Sequence, residues 1–521
     1  MAALFVSAAG LNALANWLRV PYPIPLVIGG LLLGLVPGMP DIQLNPDLVL
    51  LVFLPPLLYS AAFFADLRSL RADARVISLS AIGLVIATAV AVAAIAHDLI
   101  GLPWAMSFVL GAIVSPTDPA AATAVMRRVG APRRMVNVLE GESLFNDATA
   151  LVAYKVAVAA AVGASFSASH TVLEFAVDVG GGIAIGLAVG WLIAEVRKRI
   201  TDVNTELTIS LFSAYGAFVP ADLLGVSGVL AAVTAGIYLG FRAPEIASVE
   251  SRMQGFAMWS VLTFLLNAAL FILIGLQLPV IVDGLAGRPA GEVIGYAAAV
   301  CAAVVVVRFL WSFIVTFIIR AIDRRPSQRA RRADWRTRVV AGWAGMRGAV
   351  SLAAALALPL HTDAGAPLPG RALIQFITFA LILVTVVGQG LTLPFLIRRL
   401  GVVDDGTEEE REELRARLVI ARAALERVDE LEAEDWTRDG TIERVRAVYE
   451  FRRRRFKIRA GKIEDTDGIE EGSLAYQRMM HEIYAAQRQE LVRLRNSREI
   501  SADVMRRVER ELDLEESRLE V

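Results

Sequence analysis

Long apolar runs constrain this chain more than any motif in it. Segments near 2–18, 24–38, 48–65, 76–96, 104–126, 135–163, 171–195, 204–219, 225–241, 254–282, 291–319, 339–360 and 372–397 are long and apolar enough to cross, or nearly cross, a hydrocarbon core. No water meets a backbone N–H or C=O inside lipid, so a chain there must satisfy itself as helices or as a closed barrel. Runs of this length select helices. With 56% hydrophobic residues this is not an ordinary soluble chain, and charge becomes dense only beyond about residue 400. The expected fold is therefore an all-α polytopic membrane protein. A membrane domain over 1–400 precedes a cytosolic, mainly helical tail over 401–521.

The loops test the span count independently. Odd-numbered loops hold Arg19; Arg68, Arg71 and Arg75; Arg127, Arg128, Arg133 and Arg134; Arg197, Lys198 and Arg199; Arg242 and Arg252; and a run from Arg320 to Arg338. Together these are 21 basic residues, against two, Arg288 and Arg371, in the even loops. An excess of Lys and Arg marks the cytoplasmic side, which predicts thirteen spans with the N-terminus outside and the C-terminus inside. The N-terminus has no basic region followed by a small-residue cleavage site, so no signal peptide is expected.

Two spans read as broken helices. Ser115-Pro-Thr-Asp-Pro-Ala120 places two prolines within the fifth, and Gly342-Trp-Ala-Gly-Met-Arg-Gly-Ala-Val-Ser351 weakens the twelfth with glycines. Such breaks survive only where protein or a water-filled cavity meets the freed groups. Spans five and twelve run in opposite directions, so spans 1–6 and 8–13 match as two inverted six-helix repeats around span 7. Paired interrupted helices of this kind, crossing one another, are the sequence mark of a secondary transporter whose site lies near the midplane.

The sixth span carries the chemistry. Leu139-Glu-Gly-Glu-Ser-Leu-Phe-Asn-Asp147 puts Glu140, Glu142 and Asp147 at membrane depth, where ionisable groups mark ion or proton paths. At helical pitch Ser143, Asn146 and Asp147 share a face, and Glu142 points about 140° away from Asp147. Burial favours the protonated form of a carboxylate and a nearby cation favours the ionised form. One buried carboxylate can therefore hold a proton and a cation in competition. Asp147 is the candidate, against the plainer reading of a buried helix–helix hydrogen bond. Asp118 reads as the cap of a half-helix starting at Pro119, with Thr117 offering a hydroxyl and a freed carbonyl to a monovalent cation. Glu142 needs a partner, and Arg347, alone in its glycine-broken helix, is expected to supply it. Glu140 is expected to pair near Arg133–Arg134 or to line the entrance. Arg308 and Glu206 are further charges within spans, structural or path-lining, and Lys155 is either a snorkelling residue or an extra cation in the core. Asn267 reads as packing glue or as lining. Cys301 is the single cysteine, which excludes a disulfide framework or a Cys-based metal site. His97, His170, His361 and His481 are scattered and read as interfacial or surface residues.

The Ser-Pro-Thr117-Asp118-Pro run, Gly141-Glu-Ser-Leu-Phe-Asn-Asp147 and Gly345-Met-Arg-Gly-Ala-Val-Ser351 resemble the signature motifs of the monovalent cation:proton antiporter-1 family, the branch similar to animal sodium/proton exchangers. Leu54-Pro-Pro-Leu-Leu-Tyr59 with Asp66-Leu-Arg68, and Phe271-Ile-Leu-Ile-Gly-Leu-Gln277, fit the same pattern. The resemblance covers roughly residues 20–400. It implies an electroneutral Na⁺/H⁺ exchanger of the cell (inner) membrane that serves pH homeostasis. It further implies a homodimer with an elevator-like core, and no enzymatic activity. It also implies that Asp147 is the essential ion-binding carboxylate beside Asn146, that Thr117 and Asp118 stand at the crossing, and that Glu142 and Arg347 form a structural ion pair. The transported Na⁺ (or Li⁺ or K⁺) would then meet Asp147, Thr117, Asp118 and Ser143. Ser60 departs from the pattern, because several members carry an acidic residue there.

Two other readings compete: a K⁺/H⁺-selective antiporter and, from another class, a cation channel. The paired broken helices and the lack of a repeated carbonyl filter favour a carried site over a channel. An intramembrane aspartyl hydrolase built on Asp118 and Asp147 is disfavoured by Arg347 and by the Asn beside Asp147. No cofactor and no nucleic-acid partner are expected. The partners are the cation, the proton, the bilayer and a second copy of the chain.

Overall fold

The computed structural model describes residues 2–18, 20–36, 49–163, 168–285, 287–322, 333–404 and 406–519. Arg19 and the arginines of 324–332, counted above among the loop charges, lie outside the described residues. Among the described residues the chain is all-helical, with no strand. It divides into two compact units, Met1–Asp404 and Asp405–Val521.

The first unit contains α1 (Ala2–Leu18), α2 (Pro23–Gly34), α3 (Leu54–Phe63), α4 (Leu67–Ala72), α5 (Ala74–Asp98), α6 (Trp104–Val114), α7 (Pro119–Val129), α8 (Arg133–Val162) and α9 (Ala168–Arg197). It continues with α10 (Val203–Leu223), α11 (Gly228–Ile246), α12 (Val249–Leu276), α13 (Leu278–Asp283), α14 (Ala290–Ile322), α15 (Trp335–Trp343), α16 (Ala349–Leu356) and α17 (Arg371–Leu400). Each of the thirteen apolar segments is mostly helical where it is described. Eight of the described helical segments are long and apolar enough to cross a membrane by themselves. The rest are shorter, like α2, or more polar, like α10 with Glu206 and Asp222. Helix starts follow capping chemistry: Asp202 accepts from the Thr205 amide at 2.8 Å, and Ser248 from the Ser251 amide at 3.2 Å.

Both breaks lie where the prolines and glycines place them. The fifth span unwinds over 115–118 between α6 and α7, and the twelfth over 345–348 between α15 and α16. The half-helices exchange neighbours. Residues of α6 (Val109, Leu110, Ile113) share an apolar cluster with Ala354 and Ala355 of α16. Residues of α7 (Val125, Met126) share another with Val340 of α15 and with α2, α12 and α17. The first half of one broken helix thus packs with the second half of the other, as two helices crossing at their breaks must.

Apolar burial gives little drive for helix association in lipid, so close approach through small residues matters more. Helices α2 and α12 show it: Gly30 lies against the Ile272 carbonyl, and Gly275 against Val27 and Leu31 backbone atoms, with no room for a Cβ at either.

The second unit is built from α18 (Thr407–Leu431), α19 (Asp439–Arg459), α20 (Ile469–Asn496) and α21 (Ala502–Ser517). Its surface carries the charge pattern read from sequence, including Arg446 between Asp429 and Glu432 and Arg488 between Asp513 and Glu516. The Asp465 carboxylate accepts the Glu470 and Ile469 amides at the start of α20, which holds it below the usual carboxylate range.

The glycine contact generates a prediction. Gly275→Leu is expected to lower the unfolding free energy by about 1–3 kcal/mol or more through overpacking. Gly295→Leu, at a position with open space for a Cβ, should leave it nearly unchanged. Thermal unfolding of the detergent-purified chain distinguishes the two.

Candidate functional site

The site begins with the backbone groups that the two breaks set free. Asp118 caps α7, its Oδ1 accepting the Ala120 amide at 2.8 Å, with Pro119 at the first helical position. The Asp118 N–H donates across the crossing to the Met346 carbonyl at 2.9 Å. Arg347, 1% exposed, answers from the other side: its Nε donates to the Val114 carbonyl at 3.1 Å, and its Nη1 donates to Gly345. Its backbone N–H donates to Thr385 Oγ1 at 3.1 Å. Thr385 lies in the wide π turn Val384–Gln389 of α17, which re-aims side chains locally. At Gly348 the Asp118 carboxylate fills the space a Cβ would take, so the crossing admits only glycine there.

Thr117 is the hub of the buried polar groups. Its carbonyl accepts from Ser143 Oγ at 2.9 Å, and its hydroxyl accepts from Asn146 Nδ2 at 2.9 Å. The same hydroxyl donates to Glu142 Oε1 at 3.3 Å. Asn146 Oδ1 is buried without a donor among the described residues. Helix α8 therefore docks onto the fifth-span break through Glu142, Ser143 and Asn146 together.

The expected Glu142–Arg347 pair is not what the structure contains. Glu142 Oε1 accepts from Arg308 Nη1 of α14 at 2.6 Å, and both side chains are buried. The reason is hydrogen-bond demand: the Arg347 guanidinium is taken by carbonyls that the breaks leave open, while Arg308 reaches Glu142 from α14. Glu206 likewise has a buried partner, Arg197 at 3.7 Å, a residue that the sequence places in a loop. Lys155 is mostly exposed and lies 3.9 Å from Asp178, so it is no cation of the core.

A cavity of about 550 Å³ opens onto this cluster. Thr117, Asp118, Ser143 and Asp147 line it, together with Ser60, Asn267 and Ser351, and it runs toward Arg127 and Glu140. Asn146 stands behind this wall. Glu140 pairs with Arg127 at 2.8 Å rather than with Arg133 or Arg134, and Arg134 binds Asp73 instead. Asp147 is buried, with no hydrogen-bond donor among the described residues. Asp118, Thr117 and Ser143 are engaged in hydrogen bonds, and the Asp147 carboxylate is left open to the cavity. Ser351, Ser260 and Thr263 also line the cavity and escaped the sequence reading, because a lone hydroxyl in an apolar run carries no signal. Among the described residues no three His, Cys, Asp or Glu side chains group as a resident metal site.

The family model for the sodium/hydrogen exchanger transmembrane region matches residues 2–399. The chain belongs to the sodium/hydrogen exchanger family, within the monovalent cation:proton antiporter-1 group. It is 37% identical over 511 residues to an uncharacterized Na(+)/H(+) exchanger of Mycobacterium tuberculosis, Rv2287, covering 98% of this chain and 93% of that protein. It is 32% identical to the Na(+)/H(+) antiporter ApNhaP of Aphanothece halophytica, covering 81% and 77%. The fold is that of the sodium proton antiporter MjNhaP1 from Methanocaldococcus jannaschii: TM-score 0.60, 18% identity, 77% of this chain and 98% of that one. As a member of this family the chain is an integral membrane transporter that exchanges cations for protons, and it is not an enzyme.

The Glu142–Arg308 pair yields a second prediction. Arg308→Met strands a buried carboxylate and should cost about 3–5 kcal/mol. Adding Glu142→Gln should recover much of that loss, giving a coupling energy of at least about 1 kcal/mol in a double-mutant cycle on thermal unfolding. The cycle of Glu142 with Arg347 should show the smaller coupling of the two.

Proposed function

We propose that this chain exchanges Na⁺ for H⁺ electroneutrally, with cation and proton competing for Asp147. The observation that carries the reading is that the buried Asp147 carboxylate faces the cavity with no partner among the described residues, whereas Asp118 is held by the Ala120 amide. A single such carboxylate binds either one proton or one monovalent cation, and swapping them moves no net charge. Asp118, Thr117 and Ser143 line the same cavity and supply the remaining oxygens, while Asn146 holds Thr117 in place. The exposed position of Lys155 supports electroneutrality, because no lysine sits beside Asp147 to carry a second charge. Glu142 with Arg308, and Arg347 with the freed carbonyls, hold the crossing rigid.

The membrane part has thirteen spans in inverted repeats, the tail is cytosolic, and the protein is a homodimer of the inner cell membrane. The basic odd loops support that orientation. It makes the Arg127–Glu140 mouth of the cavity cytosolic, so the arrangement corresponds to an inward-open state. An elevator-like motion of the crossing would expose Asp147 to the other side. A second reading, exchange of K⁺ as well as Na⁺, draws on Ser60 in the cavity wall. It also draws on 30% identity over 391 residues to a Bacillus subtilis protein named as a sodium, potassium, lithium and rubidium/H(+) antiporter.

The test is cation-driven proton movement in proteoliposomes. Asp147→Asn should reduce exchange to the level of protein-free vesicles while the protein stays monodisperse; wild-type rates in that variant would refute the site. An imposed voltage should not change the rate, whereas single-channel currents would favour a channel instead. Competition also fixes a sign. As pH falls, protons occupy more of Asp147, so the apparent KM for Na⁺ must rise, approaching about tenfold per pH unit once the proton-bound form dominates. A KM that does not rise as pH is lowered through the range in which exchange itself titrates would exclude a shared carboxylate.

A further inference from the structure

Glu142 and Arg308 stand between two cavities. The one described above meets α8 at Glu140, Ser143, Leu144 and Asp147. A second, of about 370 Å³, meets the same helix on another face, at Arg134, Met135, Val138, Leu139 and Glu142. It lies among α5, α8, α14 and α15 and takes no part in holding the cation.

Its chemistry is that of a receptor for an anionic amphiphile. The walls are apolar along Val76, Leu84, Val138, Val315 and Ile319. Its polar groups are mainly donors. Arg308 Nε, Trp311 Nε1 and Arg338 Nε are each buried without an acceptor among the described residues. A donor buried without a partner is costly, and three on one cavity ask for an acceptor-rich ligand. The carboxylates present are already committed: Glu142 to Arg308, and Asp334 to the Trp335 amide at 2.7 Å. Arg320 and Arg338 at the mouth have no such carboxylate partner among the described residues, Arg320 lying over the Phe317 ring and Arg338 donating to the Ala333 carbonyl. The flanking helices turn apolar side chains outward, Ile82, Ile86 and Val90 on α5 and Leu310, Ile314 and Phe317 on α14. A chain entering here comes from lipid, and basic pockets between spans at a cytoplasmic face suit anionic headgroups.

We propose that this cavity binds an anionic phospholipid, with the phosphate at Arg320 and Arg338, an ester carbonyl accepting from Trp311 Nε1, and an acyl chain along Val76, Val315 and Ile319. Arg308 connects the ligand to the transport site, since the guanidinium that walls the cavity also holds Glu142, which in turn accepts from Thr117. Occupancy then stiffens the crossing. The proposal goes beyond the exchange reaction and stands or falls without it.

The test uses the full chain, delipidated in detergent, with phosphatidylglycerol, phosphatidylcholine or glycerol 3-phosphate added. Bound lipid is read by native mass spectrometry and stability by thermal unfolding. Phosphatidylglycerol should be retained and should raise Tm, with phosphatidylcholine and glycerol 3-phosphate doing neither. Arg320→Gln/Arg338→Gln should weaken phosphatidylglycerol retention at least about tenfold, the loss expected for one charge-assisted hydrogen bond. Trp311→Phe keeps the shape of the cavity, removes one donor and should weaken it several-fold; it decides the matter if the double variant does not fold. Equal retention of both lipids, or phosphatidylglycerol binding unchanged in Trp311→Phe, overturns the proposal. An equal rise in Tm with glycerol 3-phosphate overturns it too, making the ligand a soluble anion.

Discussion

The structure depends on one demand: inside a membrane every backbone polar group must find its partner within the protein. The demand is hardest to meet where helices break. Pro116 and Pro119 remove two donors from the fifth span, and Gly345 and Gly348 loosen the twelfth. Each break serves the other. The Asp118 amide takes the Met346 carbonyl, and Arg347 reaches back to the Val114 carbonyl. This mutual satisfaction places two half-helix starts, at Pro119 and Ala349, beside one cavity. It also explains why Gly348 has no side chain, because the Asp118 carboxylate occupies that space.

The remaining charges follow from that arrangement. Arg347 is spent on carbonyls, so Glu142 takes Arg308 from a neighbouring helix. A buried ion pair of this kind is weak evidence for net stability, since desolvating both partners offsets much of their attraction. What it does give is register. Glu142, Ser143 and Asn146 fix the rotation of α8 against Thr117, and that rotation turns Asp147 toward the cavity. The carboxylate is open because its helix neighbours are not.

Much of this was legible in the sequence, and the unread part has a physical cause. Apolar run length gave the helices, Pro and Gly gave the breaks, and the cap at Asp118 followed from Asp-Pro. Family membership was legible in the three motifs. The partner of Glu142 was not. Pairing by charge favoured Arg347 as the lone cation of a broken helix, but it left out the carbonyls that a break exposes, which also demand donors. Arg308 was visible as a charge in an apolar span, and only its distance from Glu142 singles it out. Arg197 was misplaced for a similar reason: it follows an apolar run like a loop residue, yet Glu206 on the next helix keeps it buried. Helical periodicity fixes the faces of one helix. It does not fix which helix each face meets.

The two acidic positions of α8 also differ in what surrounds them, and this bears on the proposed motion. Glu142 and Arg308 sit among helices α5, α8, α14 and α15, which pack on one another around the second cavity. Asp147 faces a seam instead. Across its cavity stand Leu54, Leu57 and Leu58 of α3 and Asn267 and Leu270 of α12, and none of these side chains holds an ion pair with α8. Sliding along an apolar seam breaks no buried salt bridge, whereas separating α8 from α14 would strand two charges. A transporter that moves its site must therefore keep Arg308 on the same side of the seam as Asp147. In the proposed motion the charged pair travels with the crossing, and Asp147 is the carboxylate of α8 that meets the seam without an ion-pair partner among the described residues.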